Sequence, residues 1–411
     1  MSATNDAAAR EAAPQQPANA ITGPLTLLLA AAVGVIVTNL FASQTLIGLI
    51  GPSLGFDAAG GGLVATATLL GYAAGLFLLV PLADLLENRG LVVRMLACAA
   101  LVAGAAALAP TAGALLIALF VLGAACSAIQ ILVPIAASMA PPERRGRVIG
   151  DVMSGLMIGI LLSRPLASLI ADSFGWRALY GLSALTMAML AVVLAMRLPQ
   201  RRPVPPSGYR ALIASLWRLL GAEPVLRRRA LTASLAMAAF SLFWTSIALR
   251  LSQPPFQLSQ RGVALFALVG AAGAAATPFF GRAGDRGWTR PATIASHLVM
   301  IAALMLAAWA GSLKAAGTPL LSLMLMGVSA VLLDIGVVGD QTLGRRAINL
   351  LQPEARGRLN GLFVGLFFLG GAVGSTLAGV AGAWGGWTSV CVIGMAFGLA
   401  ALMVDWLGKS V

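Results

Sequence analysis

The chain is short of charge. Of its 411 residues only 10% are Asp, Glu, Lys or Arg, against about 25% in a water-soluble domain. Histidine occurs once, at His297, and cysteine three times, at Cys98, Cys126 and Cys391, all inside apolar runs. That excludes a disulfide framework and a His/Cys metal site. Acidic residues number 14 against 27 basic ones, for a net charge of +13. The basic residues lie in short clusters between long uncharged stretches, which is a topology signal and not a nucleic-acid surface. What the chain does contain is hydrocarbon: 59% apolar residues and a mean hydropathy of +0.92. No water-facing surface could cover so much of it, so a polytopic membrane protein is what remains.

A helix needs about 20 residues to cross roughly 30 Å of hydrocarbon. The uncharged runs 95–142 and 359–404 are each long enough for two crossings, with breaks at Ala109-Pro110-Thr111-Ala112-Gly113 and near Gly385-Gly386-Trp387. Residues 148–171 form a span carrying one charge, Arg164. The expectation is an all-α membrane protein of twelve helices, at about 25–50, 61–83, 92–109, 113–138, 148–171, 178–197, 230–250, 262–280, 291–311, 318–342, 359–382 and 388–407. Twenty-two basic residues fall on the side of the termini and four on the other. This puts both termini in the cytoplasm, expected here beneath a bacterial inner membrane.

Residues 1–24, rich in Ala, Pro and Gln, read as a disordered tail and not as a cleaved signal. A linker, 198–229, separates one six-helix bundle at 25–197 from a second at 230–411. Within it Tyr209 to Leu220 has the pattern of a short amphipathic helix, anchored on the anionic leaflet by Trp217 and its arginines.

The two halves repeat each other. At an offset of 211, six of the ten residues in 141–150 are identical to those in 352–361, and Gln130 pairs with Gln341, Gly159 with Gly370 and Gly175-Trp176 with Gly386-Trp387. Asp84 pairs with Asp285 at an offset of 201. Parallel repeats of this kind typically enclose a site near the midplane of the bilayer.

Over residues 25–407 the chain resembles the major facilitator superfamily. The resemblance is carried by the spans, the 6+6 duplication and the loops after spans 2 and 8, Val80-Pro-Leu-Ala-Asp84-Leu-Leu-Glu-Asn-Arg89 and Gly281-Arg-Ala-Gly-Asp285-Arg-Gly-Trp-Thr-Arg290. Both depart from the family pattern, the first lacking both glycines and the second its later one. The resemblance implies that Asp84, Arg89, Asp285 and Arg290 act as a cytoplasmic gate, with Asp84 accepting from the start of span 11 at Leu359 to Gly361. A narrower similarity, to bacterial proton-coupled efflux proteins, rests on several segments. These are Asn39-Leu-Phe-Ala-Ser-Gln44, Gln130-Ile-Leu-Val-Pro134, Gly155-x-x-x-Gly159 with Arg164-Pro165, Phe240 to Thr245, and Leu333-Asp334. The span-5 antiporter signature is incomplete, and Leu119 stands where the branch has an Arg in span 4.

Ionisable residues within spans carry the most information, because each costs about 2.5–3.5 kcal/mol at the bilayer centre on insertion scales. Asp334, near the middle of span 10, is the expected proton site, neutral in one state and charged in the other. Its alternative is a permanent structural pair with Arg164. Arg164 is shallow enough to snorkel outward, or to contact substrate. Asn39, Gln44, Gln130, Trp244 and Gln341 are expected with Arg164 to line the substrate path, with Gln130 facing Gln341. Asn39 and Ser43 share a helical face. His297 is expected between helices, and Asp151, Asp340 and Asp405 at solvated span ends. Gly408-Lys409-Ser410 imitates the end of a P-loop without its first glycine or a preceding strand.

These features together predict a monomeric, cofactor-free secondary transporter that exports a small organic solute, such as a drug, sugar or nucleoside, in exchange for protons. Symport uptake or facilitated diffusion is the alternative, and a non-transporting sensor or scaffold a third. Nothing points to a metal, to nucleic acid or to an enzyme: no carboxylate pair or nucleophile–base set is visible. The path expected from these residues is mostly neutral, which argues against a multiply charged anion.

Overall fold

The computed structural model describes residues 21–56, 60–203, 208–312, 319–352 and 355–408. Most of the expected N-terminal tail, together with Lys314, Pro353-Glu354, Lys409 and Ser410, lies outside them. The described residues form helices and no strand. In chain order these are α1 (Gly23–Phe41), α2 (Ile47–Leu54), α3 (Gly62–Leu78), α4 (Asn88–Ala107), α5 (Ala112–Cys126), α6 (Ile129–Ser138), α7 (Arg145–Phe174) and α8 (Trp176–Arg197). There follow α9 (Tyr209–Ala222), α10 (Pro224–Ser252), α11 (Gln260–Gly270), α12 (Thr277–Asp285), α13 (Thr289–Ser312), α14 (Pro319–Asn349) and α15 (Arg356–Leu407).

Local chemistry sets the boundaries. Thr22 and Thr111 cap α1 and α5 by accepting from the Leu25 and Ala114 N–H groups, which would otherwise have no partner at a helix start. Among the described residues ten helices, some continued by a short segment, are long and apolar enough to cross a membrane. The longest of them, α15, has 52 residues and is broken at Gly385-Gly386, the predicted break. Gly386 sits at φ 63°, ψ −150°, a conformation that a residue with a Cβ avoids. The stretch expected as one span at 262–280 is interrupted instead: α11 gives way to a 3₁₀ segment, Ala271–Ala276, before α12.

Glycine lets the helices meet at backbone distance. A Cβ at Gly155 or Gly159 in α7 would lie 2.1 or 2.2 Å from the carbonyl oxygens of Ala30 and Gly34 in α1. In the second half Gly370 and Gly374 of α15 approach Ser234 and Ala238 of α10 to 2.0 Å on the same measure. The halves touch each other where α3 meets α15: a Cβ at Gly62 would lie 2.2 Å from the Ser375 carbonyl oxygen, and the Thr66 and Thr376 hydroxyls are 3.0 Å apart. At the end of α7 remote from the arginine clusters, Asp172 accepts from Arg261 of α11 at 2.8 Å. The predicted linker helix is present as α9. It buries Leu212, Ser215 and Leu216 and leaves Trp217 69% exposed.

Two expected solvated carboxylates prove to be internal. Asp340 is fully buried and 3.0 Å from His297 Nε2, because α14 runs on to Asn349, well past the expected end at 342, and keeps Asp340 inside the packed helices. Asp405 is 2% exposed and accepts from Arg229 at 3.1 Å. The sequence reading places Arg229 in the linker, but α10 begins at Pro224 and carries it into the interior. Asp151 is exposed, as expected.

Candidate functional site in the centre of the helices

The site is assembled at the break in the first span. After Phe41 the chain winds as a 3₁₀ turn, Ala42–Thr45, whose three residues per turn shift every later side chain off the α-helical face. Asn39 and Gln44 therefore serve different neighbours. Asn39 is held within the N-terminal half, donating to the Ile36 carbonyl at 3.3 Å and accepting from Ser183 at 2.5 Å. Gln44, fully buried, accepts from Arg164 Nε at 2.9 Å.

Arg164 does not snorkel to the membrane surface. It is 5% exposed, and its guanidinium carbon lies 4.4 Å from the Trp244 ring centroid and 5.1 Å from those of Phe41 and Phe240. A desolvated cation over an aromatic face gains about 2 kcal/mol, and here three rings surround it. The indole of Trp244 also donates from Nε1 to Asp334 Oδ1 at 3.0 Å. Among the described ion pairs there is none between Arg164 and Asp334; the two share one tryptophan instead. The glycines of the interrupted span make the room. A Cβ at Gly270 would lie 2.3 Å from the Trp244 ring, and one at Gly273 would lie 2.5 Å from Asp334 Cβ.

The hydrogen-bonded pair at the centre keeps two buried donors, Arg164 Nη2 and Gln44 Nε2, without a hydrogen-bond partner, and Ser43 Oγ next to Gln44 has none either.

Cavities lie on both sides of the cluster. The larger, about 840 Å³, is at the arginine-rich end, where Asp84, Gln130, Arg201, Arg345, Arg356 and Arg358 line it. The smaller, about 370 Å³, is at the opposite end, with Gly48, Pro52, Thr245, Arg250 and Trp387 in its wall. The larger is far from neutral, contrary to the sequence expectation. The arginines responsible are spread over residues 201–358 and meet only in the fold. Gln130 donates to the Tyr72 hydroxyl at 3.2 Å on that wall. Gln341 lines neither of these cavities.

The four expected gate residues do not form one arrangement. Asp84 is exposed on the wall of the large cavity, with Arg358 and Arg201 as electrostatic partners. Asp285 pairs with Arg346 at the end of α14, both exposed. Arg290 reaches the Trp406 carbonyl at 3.5 Å. Arg89 belongs to a helix start: its backbone N–H and that of Gly90 donate to Glu87, each at 2.8 Å. Burial alone would raise the Glu87 carboxyl, but these backbone donors outweigh it and hold it below the usual carboxylate range.

Sequence reasoning missed the ring lattice between the halves. Phe41 packs on Phe240 and Phe368, and Tyr72 on Phe368, with centroids 6.4, 6.2 and 4.6 Å apart. The available signal was tyrosine scarcity, with only 3 in the chain and one in mid-span at Tyr72.

Long apolar helices in two glycine-seamed halves, with ionisable side chains sealed between them, define a multi-pass membrane transporter. The chain belongs to the major facilitator superfamily, whose model matches residues 27–339. It is therefore a transporter and not an enzyme. It is similar to the transporter YgaY of Escherichia coli strain K12, with 36% identity over 398 residues, or 96% of this chain and 98% of that one. It is also similar to the transporter SCO4007 of Streptomyces coelicolor, at 30% over 406 residues, covering 98% and 91%. Its fold matches the crystal structure of a mutant of the nucleoside transporter NupG with a TM-score of 0.70 at 17% identity, over 93% of this chain and 99% of that one.

Proposed function

We propose that this transporter works by alternating access and couples movement of a small organic solute to a proton carried by Asp334. One observation supports the reading above the others. Asp334, in the C-terminal half, is bonded to Trp244, and that same indole lies under Arg164 of the N-terminal half. Rocking one bundle (25–197) against the other (230–411) would separate the arginine from the tryptophan and change what Asp334 faces. On this reading the arginine-rich end is cytoplasmic, the membrane is the bacterial inner membrane, and the protein works as a monomer without a cofactor, on the proton gradient. In the exchange form, a solute such as a drug, sugar or nucleoside leaves the cell as the proton enters, the two competing for the centre. Asp84 and Asp285, with Arg89 and Arg290, control the cytoplasmic mouth.

Co-transport is the second reading, and Arg164 favours it. A fixed cation close to Asp334 leaves the centre ready for a partner other than a cation. The test is flux into vesicles, with and without a proton gradient, for the native chain and Asp334→Asn. Gradient-driven accumulation disappears in the variant while downhill flux persists. Flux indifferent both to the substitution and to a collapsed gradient would leave facilitated diffusion. Absence of any solute flux, with no ligand-linked change in the accessibility of Cys126, would leave a sensor or scaffold.

A further inference from the structure

We propose that the solute is a small organic monoanion, with its acidic head on Arg164 and Gln44 and its apolar body against the rings around them. The inference deepens the transporter reading by naming a substrate class, and rests on that reading for the statement that the anion is carried and not merely bound. The first observation is the unfinished chemistry at the centre. The Arg164–Gln44 hydrogen bond joins two side chains 5% and 0% exposed, and each retains a donor, Arg164 Nη2 and Gln44 Nε2, with no acceptor. A buried guanidinium is costly to keep unless something completes it. Asp334 acts on it through space but makes no hydrogen bond to it: it lies outside ion-pair distance and gives Oδ1 to the Trp244 indole. An acidic head supplies acceptors to two donors at once, the geometry in which charge-assisted hydrogen bonds are strongest.

The second observation, independent of the first, is the approach. Arg201, Arg345, Arg356 and Arg358 line the large cavity, with Asp84 as the one carboxylate in its described wall. Arg345 Nε is buried there without a partner. A cleft walled by low-dielectric protein and lined with one sign of charge concentrates the opposite ion, raising encounter rates by about 10- to 1,000-fold. A cation would be repelled from this cavity, and a neutral solute would gain nothing from its charge.

The head carries one charge because the centre offers one arginine. A second charge would enter the interior uncompensated. The body is apolar or aromatic because the groups around the guanidinium that would take the head are the rings of Phe41, Phe240 and Trp244. A consequence for coupling follows. An anion on Arg164 and a charged Asp334 repel each other, so the anion binds with the proton on Asp334 and the two travel in the same direction, which selects co-transport over exchange.

The test uses three probes with one ring and different charge, benzoate, benzamide and benzylamine, on the purified full chain in lipid nanodiscs. Benzoate raises the melting temperature, the other two do not, and Arg164→Gln abolishes the benzoate shift. Equal shifts from all three, or a benzoate shift that survives Arg164→Gln, would overturn the proposal. Because Arg164→Gln risks misfolding, a second measurement leaves the centre intact. Ala137→Cys places a thiol in the cavity wall, where an anionic methanethiosulfonate reacts about tenfold faster than a cationic one, relative to a free thiol. Arg345→Gln reduces that preference. No preference, or the reverse one, together with no benzoate shift, overturns the anion route. Neither measurement involves flux or a proton gradient, so failure here is distinguishable from failure of Asp334 as the coupling site.

Discussion

The halves of this transporter share a scaffold and differ in chemistry. The α1–α7 seam, with Gly155 over Ala30 and Gly159 over Gly34, is repeated by α10–α15, with Gly370 over Ser234 and Gly374 over Ala238, all at nearly the same approach. At the 211-residue offset Arg164 corresponds to Ser375, so that where Arg164 lies over a ring the second half has a plain hydroxyl contact, Ser375 with Thr245 at 3.2 Å. Asp334 corresponds to Gly123, which lies so close to α3 that a Cβ would be 2.0 Å from the Thr68 carbonyl oxygen. The cation is therefore supplied by one half only and the carboxylate by the other. The repeat supplied two matching seams, and differences at a few positions put an arginine in one half and a carboxyl group in the other, both in contact with one tryptophan.

The comparison extends to the helix ends, where it can be broken experimentally. Arg229 and Asp405 form a buried ion pair in the C-terminal half, while Leu29 and Leu194 stand at the corresponding N-terminal positions, on the pairing of Gly34 with Ser234 and of Gly159 with Gly370. Arg229→Ala strands the Asp405 carboxylate and costs about 3–5 kcal/mol, read as a lowered unfolding midpoint of the purified protein. Arg229→Leu with Asp405→Leu, the N-terminal solution transplanted, recovers most of that loss. If it recovers nothing, the halves are not interchangeable at this position.

Gly159→Ala and Gly374→Ala sharpen the seam comparison. Each forces a Cβ against a carbonyl oxygen, and each should cost about 1–3 kcal/mol, with melting temperatures lowered by similar amounts. A large effect in one half alone would mean that the seams bear different loads. The smallest effect is expected at the gate: Asp285→Asn removes an exposed pair with Arg346 and should shift the unfolding free energy by less than about 1 kcal/mol, in the same unfolding assay.

Much of the scaffold was legible in the sequence because a bilayer imposes length and composition on anything that crosses it. The uncharged runs marked the spans, Gly385-Gly386 marked the break in α15, and the 211-residue repeat marked the paired seams. Asp334 and Arg164 stood out because charge in a span is expensive. Less legible was the partner of each. Helical periodicity puts Asn39 on one face with Ser43, and it does not show that past the 3₁₀ turn at Ala42–Thr45 Gln44 meets Arg164 while Asn39 stays with Ser183. Charge alone puts Asp340 and Asp405 in solvent, because a helix end read that way falls short of one stabilised by packing.

By itself, the sequence determined that this chain crosses a membrane many times, in two related halves with a few ionisable groups inside, because periodicity, run length and the cost of buried charge are local properties. Only the tertiary structure decided that Arg164 and Asp334 share Trp244 without pairing, that Gln44 and not Asn39 meets the arginine, and that four distant arginines line one cavity. Those outcomes depend on distances between helices, which are set by where glycine lets two backbones touch, and no single stretch of chain contains that information.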